Sequence, residues 1–96
     1  MDYRIIFTQK ALSDLDEIIG YIALDDVGAA ERFGHGLLDH VELLRRFPRM
    51  CGVIRKRSRV RKLQHSPVLM YYRIDEDGRA IVVLHFRHGS RKTPDL

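Results

Sequence analysis

Past its short N-terminal segment, the period of the apolar residues along this chain changes at Pro48. Before it, Ala11, Leu12, Leu15, Ile18, Ile19 and Ile22 recur at helical spacing, and so do Ala30, Phe33, Leu37, Val41 and Leu44. After it come two apolar, β-prone runs over residues 68–74 and 79–88. Proline cannot continue a helical hydrogen-bond ladder, so Pro48 ends the second helix. A chain that places two amphipathic helices ahead of its long strands packs most simply as two layers, a helix pair on one sheet face.

Local signals set the boundaries. Residues 3–7 read as a short first strand, and Thr8 stands where an N-cap belongs. The first helix should end near Asp25 and Asp26, and Asp26 or Gly28 should open the second. A connection this short predicts an antiparallel helical hairpin. Asp16 and Glu17 read as ordinary solvent-face charges on the first helix. Gly34 and Gly36 weaken the second helix, and a use for them is close approach of the first. Residues 48–58 read as a loop and residues 59–63 as a short strand. Gln64, His65, Ser66 and Pro67 form a turn. Asp75, Glu76, Asp77 and Gly78 form a hairpin, with Gly78 supplying a positive φ. The expected fold is therefore α+β, in the order β-α-α-β-β-β: an antiparallel sheet with a two-helix hairpin on one face, as a single domain over residues 1–96.

Charge is distributed as unevenly as the periodicity. Residues 1–44 carry three basic and nine acidic side chains, a net −6, whereas residues 45–96 carry fourteen and four, a net +10. Six of the eight residues at 55–62 are cationic, namely Arg55, Lys56, Arg57, Arg59, Arg61 and Lys62. Such a half favours an anionic partner, either nucleic acid or an acidic protein segment. Alternation predicts that Arg59 and Arg61 share one side of their strand. Arg73 and Arg87 sit on the neighbouring long strands, and His88 and Arg91 at the sheet end. Guanidinium forks suit phosphate and carboxylate. The competing reading of Arg73 is an ion pair with Asp75, Glu76 or Asp77.

Other chemistries find less support. His35 and His40 are five apart, which does not share a helix face. His85 and His88 are three apart on a strand and so point to opposite faces. With no Cys pair and no HExxH spacing, neither a metal site nor a cofactor is expected. His40 and His65 read as plain surface residues. No nucleophile elbow and no Gly-rich phosphate loop occur. The lone Cys51 agrees with a reducing compartment, and the absence of a signal-like or membrane-length segment predicts a cytoplasmic protein without membrane contact.

Six segments in order, "ALSDLDEIIGYIA", "AAERF", "LLRRFP", "VRKL", "MYYRI" and "VLHFRHGSR", resemble the RelE/ParE toxin superfamily of bacterial type II toxin–antitoxin systems. The resemblance spans nearly the whole chain. It implies a growth-inhibiting toxin, of the kind linked to plasmid stabilisation, in a hetero-oligomer with a ParD-like or similar antitoxin whose C-terminal segment wraps it. RelE-like members cleave mRNA on the ribosome, and ParE-like members poison DNA gyrase. Arg61 and Arg73 match positions basic across the family, and Lys56, Arg57 and Arg59 are available as further cations.

In the RNase branch a tyrosine or a His-Tyr pair near the C-terminus stands beside the scissile phosphate, and some members keep a glutamate as base. Here Gly89 follows His88, no aromatic residue lies beyond Phe86, and no acid occurs from Leu43 to Ile74. An RNase built on this chain would rest on Arg61, Arg73 and His88. These departures favour a ParE-like gyrase inhibitor that is not an enzyme. The cationic face supplies its expected target-binding residues: Lys56, Arg57, Arg59, Arg61, Arg73, Arg87, His88 and Arg91. The alternatives are a ribosome-dependent mRNA interferase and a degenerate, non-toxic basic binding module.

Overall fold

Thr8 and Asp26 set the helix boundaries in the computed structural model, which describes residues 2–89. Thr8 follows β1 (Arg4–Phe7) and caps α1 (Gln9–Asp25), its Oγ1 accepting from Ala11 N at 3.1 Å. The same hydroxyl donates to Val83 O at 2.9 Å, so the cap also fixes the helix start to the sheet. Asp26 works in both directions: its N–H closes the last turn of α1 on Ile22 O, and its carboxylate caps α2 (Val27–Glu42) through Ala29 N. One residue thus joins two helices and makes the expected hairpin. A 3₁₀ turn, Leu43–Arg45, continues α2 before Pro48.

The strands that follow are β2 (Val53–Arg55), β3 (Val60–His65), β4 (Val68–Asp75) and β5 (Ala80–His88). They form one sheet in the order β1-β5-β4-β3-β2. β2 to β5 meander antiparallel as expected. Two details differ from the sequence reading. Residues 53–55, within the segment read as loop, pair with β3 as a short edge strand. β1 lies parallel to β5, so the sheet is mixed. Alternation encodes which face a residue takes but not which strand it meets or in which direction. The helix hairpin returns the chain to the far side, and only the fold decides that β1 ends beside β5.

The core lies between the hairpin and the sheet. Leu37, Val41 and Leu44 from the second helical segment meet Leu63, Met70, Tyr72, Ile81, Val83 and Phe86 from the sheet, all essentially without solvent exposure. Each such side chain contributes about 1.5–3 kcal/mol on leaving water. Gly34 brings α1 close, as expected: a Cβ there would stand 3.5 Å from Ile19 Cδ1. Gly36 serves the sheet instead, with His65 Nε2 at 3.6 Å from the corresponding point.

The hairpin between β4 and β5 differs in its chemistry from the expectation. Gly78 does not have positive φ; Arg79 does, at 48°. Asp75 Oδ1 accepts from Gly78 N at 3.1 Å, and a Cβ on Gly78 would fall 2.6 Å from Asp75 Oδ2. Glycine is required there for space against the turn-forming carboxylate rather than for a left-handed backbone.

Candidate anion-binding face of the sheet

Strand registers decide which cations share a surface. Paired residues lie on the same side of a sheet, and neighbours alternate. Tyr72, Met70, Leu63, Val83 and Phe86 face the helices. On the other side, Lys62 pairs with Tyr71, Tyr71 with His85, Leu69 with Arg87, and Arg73 with Val82. Arg55 pairs with Val60, which belongs to the small apolar cluster of that outer face. The outer face therefore brings together Arg55, Lys62, Arg73 and Arg87 from four adjacent strands.

At its centre Val60, Leu69 and Tyr71 form a buried apolar floor with Leu84 packed on it. The five consecutive residues Val68–Tyr72 are all buried, so the central strand is covered on both sides along that stretch. Arg87 lies along this floor: its Nε donates to Tyr71 Oη at 2.7 Å and its guanidinium stands 5.8 Å from the ring centroid. Arg73 is the first exposed residue of β4 and, among the described residues, makes no ion pair. Two carboxylates of the following turn are committed elsewhere. Asp75 holds Gly78 N, and Glu76 meets Arg49 and accepts from Tyr3 Oη at 2.7 Å. The ion-pair reading of Arg73 is thus not what the structure shows.

Several sequence-selected residues lie off this face. Arg59 is not in the strand; it occupies the turn before β3 with φ 58°. The strand consequently starts at Val60, and alternation turns Val60 and Lys62 outward and Arg61 toward the helices. Arg61 pairs with Tyr72 in register, and its Nη1 donates to Cys51 O at 2.6 Å. Beside it Tyr72 Oη donates to Pro48 O at 3.0 Å, and burial first, then the neighbouring Cys51, pushes its phenol well above the ordinary range. Arg61 and Tyr72 together fasten the 48–52 segment against β3. Lys56, Arg57 and Arg59 are exposed in the turn at the edge of the outer face. Arg91 lies outside the described residues.

The histidines separate as expected, His85 outward and His88 with Val68 on the helix side. His85 does not stand open beside the cations. Its Nδ1 lies 2.5 Å from Asp14 Oδ2 of α1, with side-chain exposures of only 15% and 11%, and its ring stacks on Tyr71 at 5.9 Å. Asp14 was an unremarked helix-face acid in the sequence, and Tyr71 an unremarked strand residue. Nothing in spacing links positions 14 and 85. His40 and His65, read as surface residues, instead meet across α2 and β3 with their Nδ1 atoms 3.0 Å apart. Among the described residues no cluster of three or more His, Cys, Asp or Glu is placed to hold a metal, and no helix is long and apolar enough to cross a membrane.

A second feature precedes the basic turn in sequence. Leu43, Phe47, Met50, Val53 and Ile54, in the segment that runs from the end of α2 through β2, are exposed at 40–55%. The outward side of β2 is the open edge of the sheet.

Comparison with known proteins gives a consistent picture. A family model described as the ParE toxin of the type II toxin–antitoxin system, parDE, matches residues 5–93. Among curated proteins none matches. Among solved structures, the chromosomal ParDE toxin–antitoxin system from P. aeruginosa superposes with a TM-score of 0.73 at 23% identity, covering 90% of this chain and 95% of that one. The toxin–antitoxin complex RelBE2 from Mycobacterium tuberculosis superposes with a TM-score of 0.61 at 24% identity, covering 92% and 99%. At these identities the two structures establish the fold.

Proposed function

The chain belongs to the ParE toxin family of type II toxin–antitoxin systems, and from that premise we propose that it is a binding toxin that poisons DNA gyrase and is neutralised by a cognate antitoxin. One observation carries the choice of binding over catalysis. The outer face gathers Arg55, Lys62, Arg73 and Arg87, while neither strand histidine stands open beside them. His85 is held by Asp14 and stacked on Tyr71, and His88 lies on the opposite side of β5. Cleavage of a phosphodiester by attack of a 2′-hydroxyl needs a group that accepts that proton within hydrogen-bond reach. A cationic face on which, among the described residues, no exposed histidine stands is suited to holding an anionic or acidic surface.

The antitoxin reading rests on the β2 edge. An acidic segment with apolar side chains, disordered alone and ordered on binding, fits the open edge strand β2, with Val53 and Ile54 exposed and Lys56, Arg57 and Arg59 in the turn that follows. No acid lies between residues 43 and 74 to repel it.

The deciding experiment induces the toxin and follows two readouts in parallel: plasmid supercoiling and cleavage with purified gyrase, and toeprinting of translated mRNA. Gyrase-dependent DNA breaks with intact message are the expected result. Cuts at the ribosomal A site would overturn the gyrase reading in favour of an mRNA interferase, and absence of growth arrest would leave a non-toxic binding module.

A further inference from the structure

His40 and His65 come from opposite layers of the fold. His40 lies in the last turn of α2, and His65 is the final residue of β3. Their rings approach at 5.2 Å between centroids, tilted by 57°, with the Nδ1 atoms 3.0 Å apart. At that distance one nitrogen donates and the other accepts, so the contact exists only while at least one ring lacks its second proton. When both rings carry two protons, two N–H groups and two positive charges face one another across the same gap.

The surroundings offer no relief for that charge. From α2 the other neighbours of His65 are Phe33, whose ring lies 5.7 Å away, and Gly36, which has no side chain. From β4 the paired residue is Val68, and beyond it on β5 is His88, itself a titratable base. Asp39 and Glu42, the acids beside His40 on α2, are exposed, and Glu42 is engaged by Arg45. Among the described residues no carboxylate contacts either imidazole. Burial first, and the charge of His40 second, hold the basicity of His65 below that of a free imidazole.

The position gives the contact leverage. Immediately after His65 the chain turns through Ser66 and Pro67 into β4, and Pro67 O accepts from Gly89 N at 2.7 Å. The pair therefore joins the end of α2 to the sheet corner at which β3 and β5 end and β4 begins.

We propose that the His40–His65 hydrogen bond is a proton-sensitive latch, closed at neutral pH and opened when both imidazoles are protonated, which frees the last turn of α2 from this corner of the sheet. The sign follows from the lowered basicity. The folded protein resists a proton that the unfolded chain accepts near pH 6.5, so stability is full above that pH and falls as the pH drops below it. Each proton taken up only on unfolding raises the unfolded-to-folded ratio by up to about tenfold per pH unit.

The test uses the full chain and two measurements. Denaturant unfolding is followed between pH 7.5 and 5 for the wild type, for His40→Asn and, as an exposed control, for His35→Asn. The wild type and His35→Asn are expected to lose stability steeply below pH 6.5, and His40→Asn to show a shallower slope. Nitrogen-15 correlation spectra of the wild-type imidazoles supply the second readout, independent of whether any variant folds. The latch predicts that His40 and His65 titrate as a coupled pair, the second proton entering below the ordinary histidine range, and that amides of the α2 end and of Gly89 shift with it. Independent titration of both rings near pH 6.5, or equal slopes for all three proteins, would overturn the proposal.

Discussion

Asp14 Oδ2 accepts from His85 Nδ1 at 2.5 Å and from Phe86 N at 3.2 Å, so one carboxylate on α1 ties down both a side chain and the backbone of β5. It does so where the sheet needs it. β1 pairs with β5 only as far as Phe7 opposite Val83, and beyond that point the β5 backbone has lost its strand neighbour. Asp14 takes over from the missing strand. Asp14→Ala leaves the Phe86 N–H and the His85 ring without this acceptor, and the expected loss is about 1–3 kcal/mol. For a domain of this size that lowers Tm by several degrees, about 4–8 °C per kcal/mol. Asp14→Asn keeps an acceptor and should lose less. Thermal unfolding of the two variants at pH 7.5 checks the ordering.

Tyr72 makes a separate prediction at alkaline pH. Its phenol is pushed above the ordinary value of 10 by burial. The folded state therefore favours the neutral phenol, and the unfolded chain ionises first. The Tyr72 contribution is complete below pH 10 and declines as pH rises above it. Tyr72→Phe removes the bond to Pro48 O and should lose about 0.5–1.5 kcal/mol at neutral pH. It should also flatten the fall in stability between pH 10 and 11. Urea titrations at pH 8, 10 and 11 measure both effects; parallel pH profiles would remove Tyr72 from the account.

The contrast between what the residues announce and what they conceal is clear along β3. Thr8 and Asp26 were legible as caps because an N-cap acts on the residues next to it in sequence. The helix hairpin, the meander and the opposite facing of His85 and His88 follow from period and turn length, which are also local. The left-handed Arg59 was not legible, since a non-glycine residue there carries no sequence mark. It moves the start of β3 by one position and so takes Arg59 off the strand side that it was expected to share with Arg61. The parallel β1–β5 pair, the Asp14–His85 contact and the His40–His65 contact join residues 25 or more apart. They depend on how the two layers are set against each other, and no spacing rule reaches that far.

His88 separates the two toxin mechanisms. It sits on the helix side of the sheet, opposite to Arg73 and Arg87. A ribonuclease that relied on it as proton carrier would lose on the order of 10²- to 10⁴-fold in rate with His88→Ala. The gyrase reading expects growth arrest by His88→Ala to match wild type within a few-fold. Growth curves after induction, with the expression level checked by immunoblot, decide it. Loss of toxicity with unchanged Tm would return the RNase reading to the front.

Arg61 and Arg73 stand on the same sheet but on opposite sides, and their alanine variants should fail in different ways. Arg73 is exposed and without an ion pair among the described residues, so Arg73→Ala should leave stability within about 0.5 kcal/mol of wild type. If the outer face binds the target as proposed, the cost should fall there, losing a cation reducing both affinity and the steepness of the salt dependence. Lys62→Ala, from the neighbouring strand of the same face, should behave alike, and the double variant should be close to non-toxic while still folded. Arg61 donates to Cys51 O from the helix side. Arg61→Ala frees the 48–52 segment and should lose about 1–3 kcal/mol, and its toxicity should recover at lower temperature as the fold is restored. Toxicity, Tm and target capture at two salt concentrations, measured on all four proteins, test the division. If Arg73→Ala and Lys62→Ala both retain full toxicity and an unchanged salt slope, the outer face is not where the target binds.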